Sequence, residues 1–144
     1  MDKSHPELLV DLGSQLNALL AASRAVVAAS SAHFHPTVQP AAYQVAVALM
    51  AHGPAKAGDL ARLLDMDKSA ISRLGKSLCS IGLAETTEDP HDGRGIVYGL
   101  TAEGIKRVYA SNATKSVAFF SRLEGWSDDE LIQFTTLLRK FNRL

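Results

Sequence analysis

Lys68, Ser69, Ser72, Arg73 and Lys76 fall at helical spacing, and Arg94 follows about twenty positions later. These are the residues of the chain whose types and order suggest chemistry, and the chemistry is recognition. A helix that enters the major groove of duplex DNA needs short polar side chains that let it approach. It also needs basic ones that reach phosphates or guanine. Arg73 suits a base or an adjacent phosphate, whereas Ser69 and Ser72 suit phosphate or water-mediated contacts. Taken alone, the same five residues would also make an ordinary solvated helix face, so the surrounding elements must decide.

Other chemistries find little support. No nucleophile–base set, metal cluster or phosphate-binding glycine loop is present, so the chain does not read as an enzyme. His33, His35 and His52 form an incomplete ligand set at undiagnostic spacing, so no metal or cofactor is expected. The single cysteine, Cys79, rules out an intrachain disulfide. It reads as a small buried residue near a helix end, with a redox sensor as the alternative. No apolar run approaches the roughly 18–20 residues of a membrane span. The Ala-rich stretch from Ala18 to Ala32 is broken by Arg24 and several serines. The start, Met1 to Glu7, lacks the pattern of a secretory signal, which gives a cytoplasmic expectation.

The elements that must position the basic residues are legible from periodicity and punctuation. Glu7 to about Ser31 reads as a long helix with Leu9, Leu12, Leu16, Leu19, Leu20 and Val27 near one face, closed by His33-Phe34-His35-Pro36. Pro40 opens a second helix with Ala42, Val45, Ala46 and Leu49 inward, and Gly53-Pro54 stops it. A short helix from Lys56 to Leu64 buries Ala57, Leu60, Ala61 and Leu64. After the break Asp65-Met66-Asp67, with Asp67 placed to cap, a helix runs from Lys68 to about Ile81. Ile71, Leu74, Leu78 and Ile81 face inward and Gly82 ends it. Two short helices joined by about three residues fit a helix-turn-helix.

Leu83 to Thr87 and Ile96 to Leu100 read as two strands around a turn-rich loop, Glu88 to Arg94, whose Asp92-Gly93 favours a hairpin. A hairpin directly after a recognition helix is a wing, and this order selects the DNA-reading interpretation of the basic face. Arg94, at the wing tip, then suits the minor groove, whose narrow A·T stretches attract a guanidinium. Lys56 and Arg62 are further candidate contacts to the DNA backbone. Thr101 caps a fifth helix with Ile105, Tyr109, Ala113, Val117 and Phe120 in a stripe. Gly125 ends it, and Ser127 to Glu130 form a capping box for a last helix. The fold expected is mainly α with a small β-hairpin wing. It divides into an N-terminal helix (1–39), a winged helix-turn-helix (40–104) and C-terminal helices (105–144).

Charge does not assist this reading. The chain has 15 Lys/Arg against 15 Asp/Glu, for a net of zero. From Gly53 to Gly104 six Lys/Arg stand against eight Asp/Glu, a net of −2. Any DNA contact must therefore come from a few placed cations, doubled by dimerisation. The first, fifth and sixth helices carry more apolar surface than one small winged domain covers. This predicts a homodimer that sets two recognition helices about one DNA turn apart on a pseudo-palindromic operator.

The chain resembles the MarR family of bacterial regulators along nearly its whole length. Three stretches carry the likeness: Gly58-Asp59-Leu60-Ala61-Arg62-Leu63-Leu64; Asp67-Lys68-Ser69-Ala70-Ile71-Ser72-Arg73 continuing to Ile81-Gly82-Leu83; and Asp89-Pro90-His91-Asp92-Gly93-Arg94 followed by Leu100-Thr101-Ala102-Glu103-Gly104. The last is the most specific. The resemblance implies a DNA-binding regulator of transcription, more often a repressor, with Asp92 holding Arg94 or the hairpin in place. It also implies a small, often aromatic effector between the dimer helices and the DNA-binding lobe. His33, Phe34, His35 and Tyr43 lie nearest to such a site, and serve equally as packing and surface residues. One departure stands out. Ala84-Glu85-Thr86-Thr87 lacks the arginine common there in the family, and Glu85 and Glu88 add negative charge. An alternative is therefore a winged-helix interaction module with weak or lost DNA binding.

Overall fold

The computed structural model describes residues 3–143. Six helices and three short strands follow the order α1 (His5–Phe34), α2 (Pro40–His52), β1 (Ala55–Lys56), α3 (Ala57–Leu64), α4 (Lys68–Ser80), β2 (Ala84–Glu88), β3 (Ile96–Leu100), α5 (Ala102–Phe120) and α6 (Asp128–Phe141). One turn of 3₁₀ helix, Ser121–Leu123, joins the last two helices.

The helix termini are set largely by local chemistry. The Glu7 carboxylate accepts the Ser4 N–H at 2.7 Å at the start of α1. Ser127 and Glu130 do the same reciprocally at α6, at 2.8 and 3.3 Å. Pro40 occupies the first turn of α2, and Gly53 ends that helix at a φ of 80°. Asp67 departs from expectation. It occupies the cap position of α4, but its side chain accepts no N–H. The turn is held instead by backbone, through Met66 N–H to Ala61 C=O at 3.0 Å, with Asp65 left-handed at a φ of 51°.

The core forms around α2. The expected face of Ala42, Val45, Ala46 and Leu49 is buried, and so are Tyr43 and Ala48, because α2 is covered on several sides. Phe34 of α1, Leu60 of α3, Ile71 and Leu78 of α4, Leu83, Tyr98 of β3 and Val108 of α5 complete one cluster. The C-terminal end of α1 and the N-terminal half of α5 belong to this core through Ser30, Ser31, Phe34, Gly104, Val108 and Ser111.

The sheet has the order β1-β3-β2, all antiparallel. Strand β1 lies outside the expected elements; its two residues, paired with Tyr98 and Val97, are too few to show periodicity. Strand β2 begins at Ala84 rather than Leu83, because Leu83 turns into the core. The hairpin loop is not the tight Asp-Gly turn. It spans residues 89–95, and Gly93 is not among the positive-φ residues.

The outer helices are apolar and uncovered. Leu9, Leu12, Leu19 and Leu20 of α1, Tyr109, Val117 and Phe120 of α5, and Ile132, Phe134, Leu137 and Phe141 of α6 are exposed. No residue of α6 is buried. An open apolar groove of about 680 Å³ lies between α1 and α6, lined by Leu12, Leu16, Leu19, Phe134, Leu138 and Phe141.

Candidate nucleic-acid interface

Helix α4 presents one face to the core and the other to solvent. Ile71 and Leu78 are fully buried, while Lys68, Ser69, Arg73 and Lys76 are exposed and Ser72 is half-buried. Gly75 lies on the buried side. A Cβ there would stand 2.6 Å from Cε1 and 2.9 Å from Cδ1 of Tyr98, itself 4% exposed. The glycine that would only weaken an exposed helix is thus the residue that lets β3 pack against α4.

The C-terminal end of α4 is tied to the base of the hairpin and to α5. Gly82, at a φ of 76°, takes the left-handed cap, and Leu83 N–H reaches back to Leu78 C=O at 3.0 Å. Thr101 joins the three elements. Its hydroxyl donates to Gly82 C=O at 2.7 Å and accepts the Gly104 N–H at 3.1 Å, while its own N–H donates to Leu83 C=O at 3.1 Å. A Cβ on Gly104 would lie 2.0 Å from the Leu83 carbonyl oxygen. The spacing Leu100-Thr101-x-x-Gly104 is therefore a packing requirement: threonine caps, and glycine admits the neighbouring backbone.

The wing loop is organised by two aspartates. Asp92 Oδ1 accepts the Arg94 backbone N–H at 3.1 Å, so Asp92 shapes the loop through the arginine's main chain. Asp89, 8% exposed, accepts the His91 N–H at 2.9 Å and forms an ion pair with Lys56 of β1. The hydrogen bond from Lys56, followed by that from His91, holds the Asp89 carboxyl below its ordinary pKa, and Asp89 in turn raises that of Lys56. Lys56 is thus paired within the protein, as is Arg62, which meets Asp59 one helical turn away.

Lys56, Arg62, Lys68, Ser72, Asp92 and Arg94 line one cleft of about 540 Å³ between α3, α4 and the wing. Arg73 lies toward the other side of α4, bordering a cleft with Thr37, Gln39 and Ser77. Lys68, Arg73, Lys76 and Arg94 have no ion-pair partner among the described residues. Four unpaired cations and two serines along the solvent side of α4 and at the hairpin tip, with Arg73 and Lys68 bordering different clefts, can grip a polyanion from two directions.

A model of the MarR family matches residues 37–95, from before α2 to the end of the wing loop. Over this segment the winged helix is similar to the MarR family. The chain is 30% identical over 91 residues to an uncharacterised HTH-type transcriptional regulator of Bacillus subtilis, YxaD, covering 63% of this chain and 64% of that protein. Among solved structures, a MarR family protein from Bacillus stearothermophilus superposes with a TM-score of 0.84 at 18% identity, covering 98% of this chain and 97% of the other. A C80S mutant of MarR from E. coli complexed with operator DNA superposes with a TM-score of 0.68 at 19% identity, covering 96% and 99%. At these identities the likeness is one of fold, and it extends the MarR arrangement to the flanking helices.

Around this MarR-type core, the four residues nearest the expected effector site are not gathered about one cavity. Phe34 and Tyr43 are buried and pack in a tilted arrangement with ring centroids 5.4 Å apart. His33 is exposed, and His35 Nδ1 lies 2.9 Å from the Thr37 hydroxyl. Tyr43 also points its hydroxyl toward Asn112 Oδ1 at 3.5 Å, and burial raises its pKa. It borders a separate cleft of about 450 Å³ with Val27, Gln44, His52, Leu64 and Lys115. Among the described residues, no group of three or more His, Cys, Asp or Glu could hold a metal, and no helix is long and apolar enough to cross a membrane. Cys79 is half-buried, and burial raises its pKa, which disfavours the reactive thiolate.

Proposed function

We propose that this chain is a homodimeric, cytoplasmic transcriptional regulator that reads duplex DNA through α4 and the wing and acts as a repressor. The observation that carries this reading is the placement of Lys68 and Ser72 across one cleft from Arg94, with their cations unpaired. In it, α4 enters the major groove with Ser69, Ser72 and Arg73 at base edges and phosphates, and Lys76 meets the backbone. Arg94 enters the adjacent minor groove, held by the loop that Asp92 shapes. The exposed apolar faces of α1, α5 and α6 join two copies about a two-fold axis, which spaces the recognition helices by about 34 Å, one turn of DNA. The E. coli MarR mutant complexed with operator DNA supports the docking mode through its shared fold.

Release comes from a small, apolar or aromatic molecule at the cleft bordered by Tyr43, His52 and Lys115. The cleft joins α1, α2, α3 and α5, so an occupant preferring one arrangement of these helices shifts DNA affinity by its differential affinity for the two states.

The test is Arg94→Ala, assayed by fluorescence anisotropy on a duplex from the region upstream of the gene and by light scattering. The expected result is loss of most DNA binding with an unchanged dimer. Wild-type affinity in the variant overturns the minor-groove role, and a clean monomer at micromolar concentration overturns the docking geometry. No salt-sensitive binding by the wild-type protein to any nearby promoter fragment favours the interaction module, which the exposed Glu85 and Glu88 of β2 would suit.

A further inference from the structure

Asp89 is the one buried carboxylate among the described residues, and it lies at the neck of the wing. Its backbone N–H donates to Gly95 C=O at 2.9 Å, its own C=O accepts the Asp92 N–H at 3.3 Å, and its side chain accepts the His91 N–H. Gly95 is pressed against it, since a Cβ there would stand 3.0 Å from the Asp89 Cβ. Asp89 thus fixes both ends of the loop bearing Arg94, while Asp92 accepts the N–H groups of Arg94 and Gly95 within it.

Among the described residues, the only side chain from outside the loop paired with Asp89 is Lys56. Lys56 lies on β1, opposite Val97 in register, and is followed directly by α3. Beyond β3 the sheet continues only into the two residues of β1, and on the other side β2 has exposed residues from Glu85 to Glu88. The Lys56–Asp89 pair is thus a side-chain tie between the wing loop and the start of the helix-turn-helix. Opening it would leave a poorly solvated carboxylate without its cation, which opposes the motion. The ammonium of Lys56 also lies in the field of Asp92 and Asp59, so three carboxylates compete with any phosphate for it.

We propose that Lys56 and Asp89 are positioning residues for DNA reading: their ion pair clamps the wing at the angle that presents Arg94 to the minor groove, and Lys56 is not a phosphate contact. The inference rests on the DNA-binding reading above. It makes an expectation opposite to simple charge counting. Removing a carboxylate near DNA should tighten binding if Asp89 acts only through charge, whereas loss of the clamp should weaken it.

The experiment compares wild type, Asp89→Ala, Lys56→Met and Lys56→Arg, each with and without Arg94→Ala, on the upstream duplex. Asp89→Ala and Lys56→Met should each weaken binding at least about fivefold, the lower range for one specific contact. Neither should weaken it further once Arg94 is absent, because coupled residues are non-additive. Lys56→Arg should restore most of the affinity. Amide hydrogen exchange on the DNA-free protein is the second readout. Residues 91–95 should exchange faster in Asp89→Ala and Lys56→Met while α4 is unchanged. Equal or tighter binding by Asp89→Ala, additivity with Arg94→Ala, or unchanged exchange in the loop overturns the clamp. If Asp89→Ala does not fold, Lys56→Met carries both readouts. If the wild-type protein binds no upstream fragment, the DNA-binding reading fails, and the exchange measurement still decides whether the clamp exists.

Discussion

Replacing Gly104 by alanine separates helix propensity from packing. In an exposed helix the change would stabilise by about 1 kcal/mol. Here the added methyl would stand 2.0 Å from the Leu83 carbonyl oxygen and 3.0 Å from its carbon. That neighbour is backbone, fixed by the cap of α4 and by the start of β2, so it cannot rotate away. To accept the methyl, α5 must back off by roughly 1 Å, which strains or breaks Thr101 N–H to Leu83 C=O at 3.1 Å and Thr101 Oγ1 to Gly82 C=O at 2.7 Å. Two such bonds contribute about 1 kcal/mol each. Residual overpacking adds about 1–3 kcal/mol. Set against the propensity gain, the expected net loss is about 2–4 kcal/mol. Urea denaturation at fixed protein concentration measures it, with Gly58→Ala as the control because a Cβ at Gly58 meets nothing within 4 Å. Gly104→Ala at wild-type stability, or above it, would refute the claim that Leu100-Thr101-x-x-Gly104 is a backbone-contact motif.

Gly75→Ala should also destabilise, by about 1 kcal/mol after the propensity gain is offset, because its Cβ would press on the buried Tyr98 ring. Chemical denaturation of Gly75→Ala beside Gly75→Ala/Tyr98→Leu checks the cause, since the smaller partner should recover stability lost to the clash. The ion pair at the wing gives a pH signature. The Asp89 pKa is lowered from an ordinary value of 3.8 by Lys56 and His91. The stability it contributes is therefore complete above that ordinary value and lost as pH falls through the lower value of the folded state. The difference in thermal midpoint between wild type and Asp89→Ala should thus be constant near neutrality and shrink on acidification below about pH 4. A difference that grows with acid would contradict the pairing.

Much of the fold is legible in the sequence where periodicity is long. The boundaries of α2 and the end of α4 follow from Pro40, Gly53 and Gly82, which act locally. Strand β1 is not legible, because two residues carry no period. Asp67 occupies the cap position but its carboxylate accepts no backbone N–H, since backbone bonds hold the turn. The hairpin loop, residues 89–95, falls within one residue of the turn-rich stretch Glu88 to Arg94, and Asp89 and Asp92 organise it. The roles of Gly75 and Lys56 depend on partners 23 and 33 positions away, Tyr98 and Asp89, and no local pattern marks them. The four residues expected nearest an effector lie near one another in sequence, yet Phe34 and Tyr43 meet in the core while His33 faces solvent. Proximity along the chain is a poor guide to which side chains share a cavity.

The reading of DNA by a neutral chain is tested most directly by salt dependence. In the proposed docking, Lys68, Arg73 and Lys76 would meet three phosphates per protomer, hence six in the proposed dimer. A slope of about −0.9 per phosphate neutralised then gives a fall of roughly a thousandfold in affinity between about 50 and 200 mM salt. Titration of the wild-type protein against its upstream duplex across that range should show this fall, with a stoichiometry of two chains per site. Salt-independent binding, or none at low salt, would contradict the account.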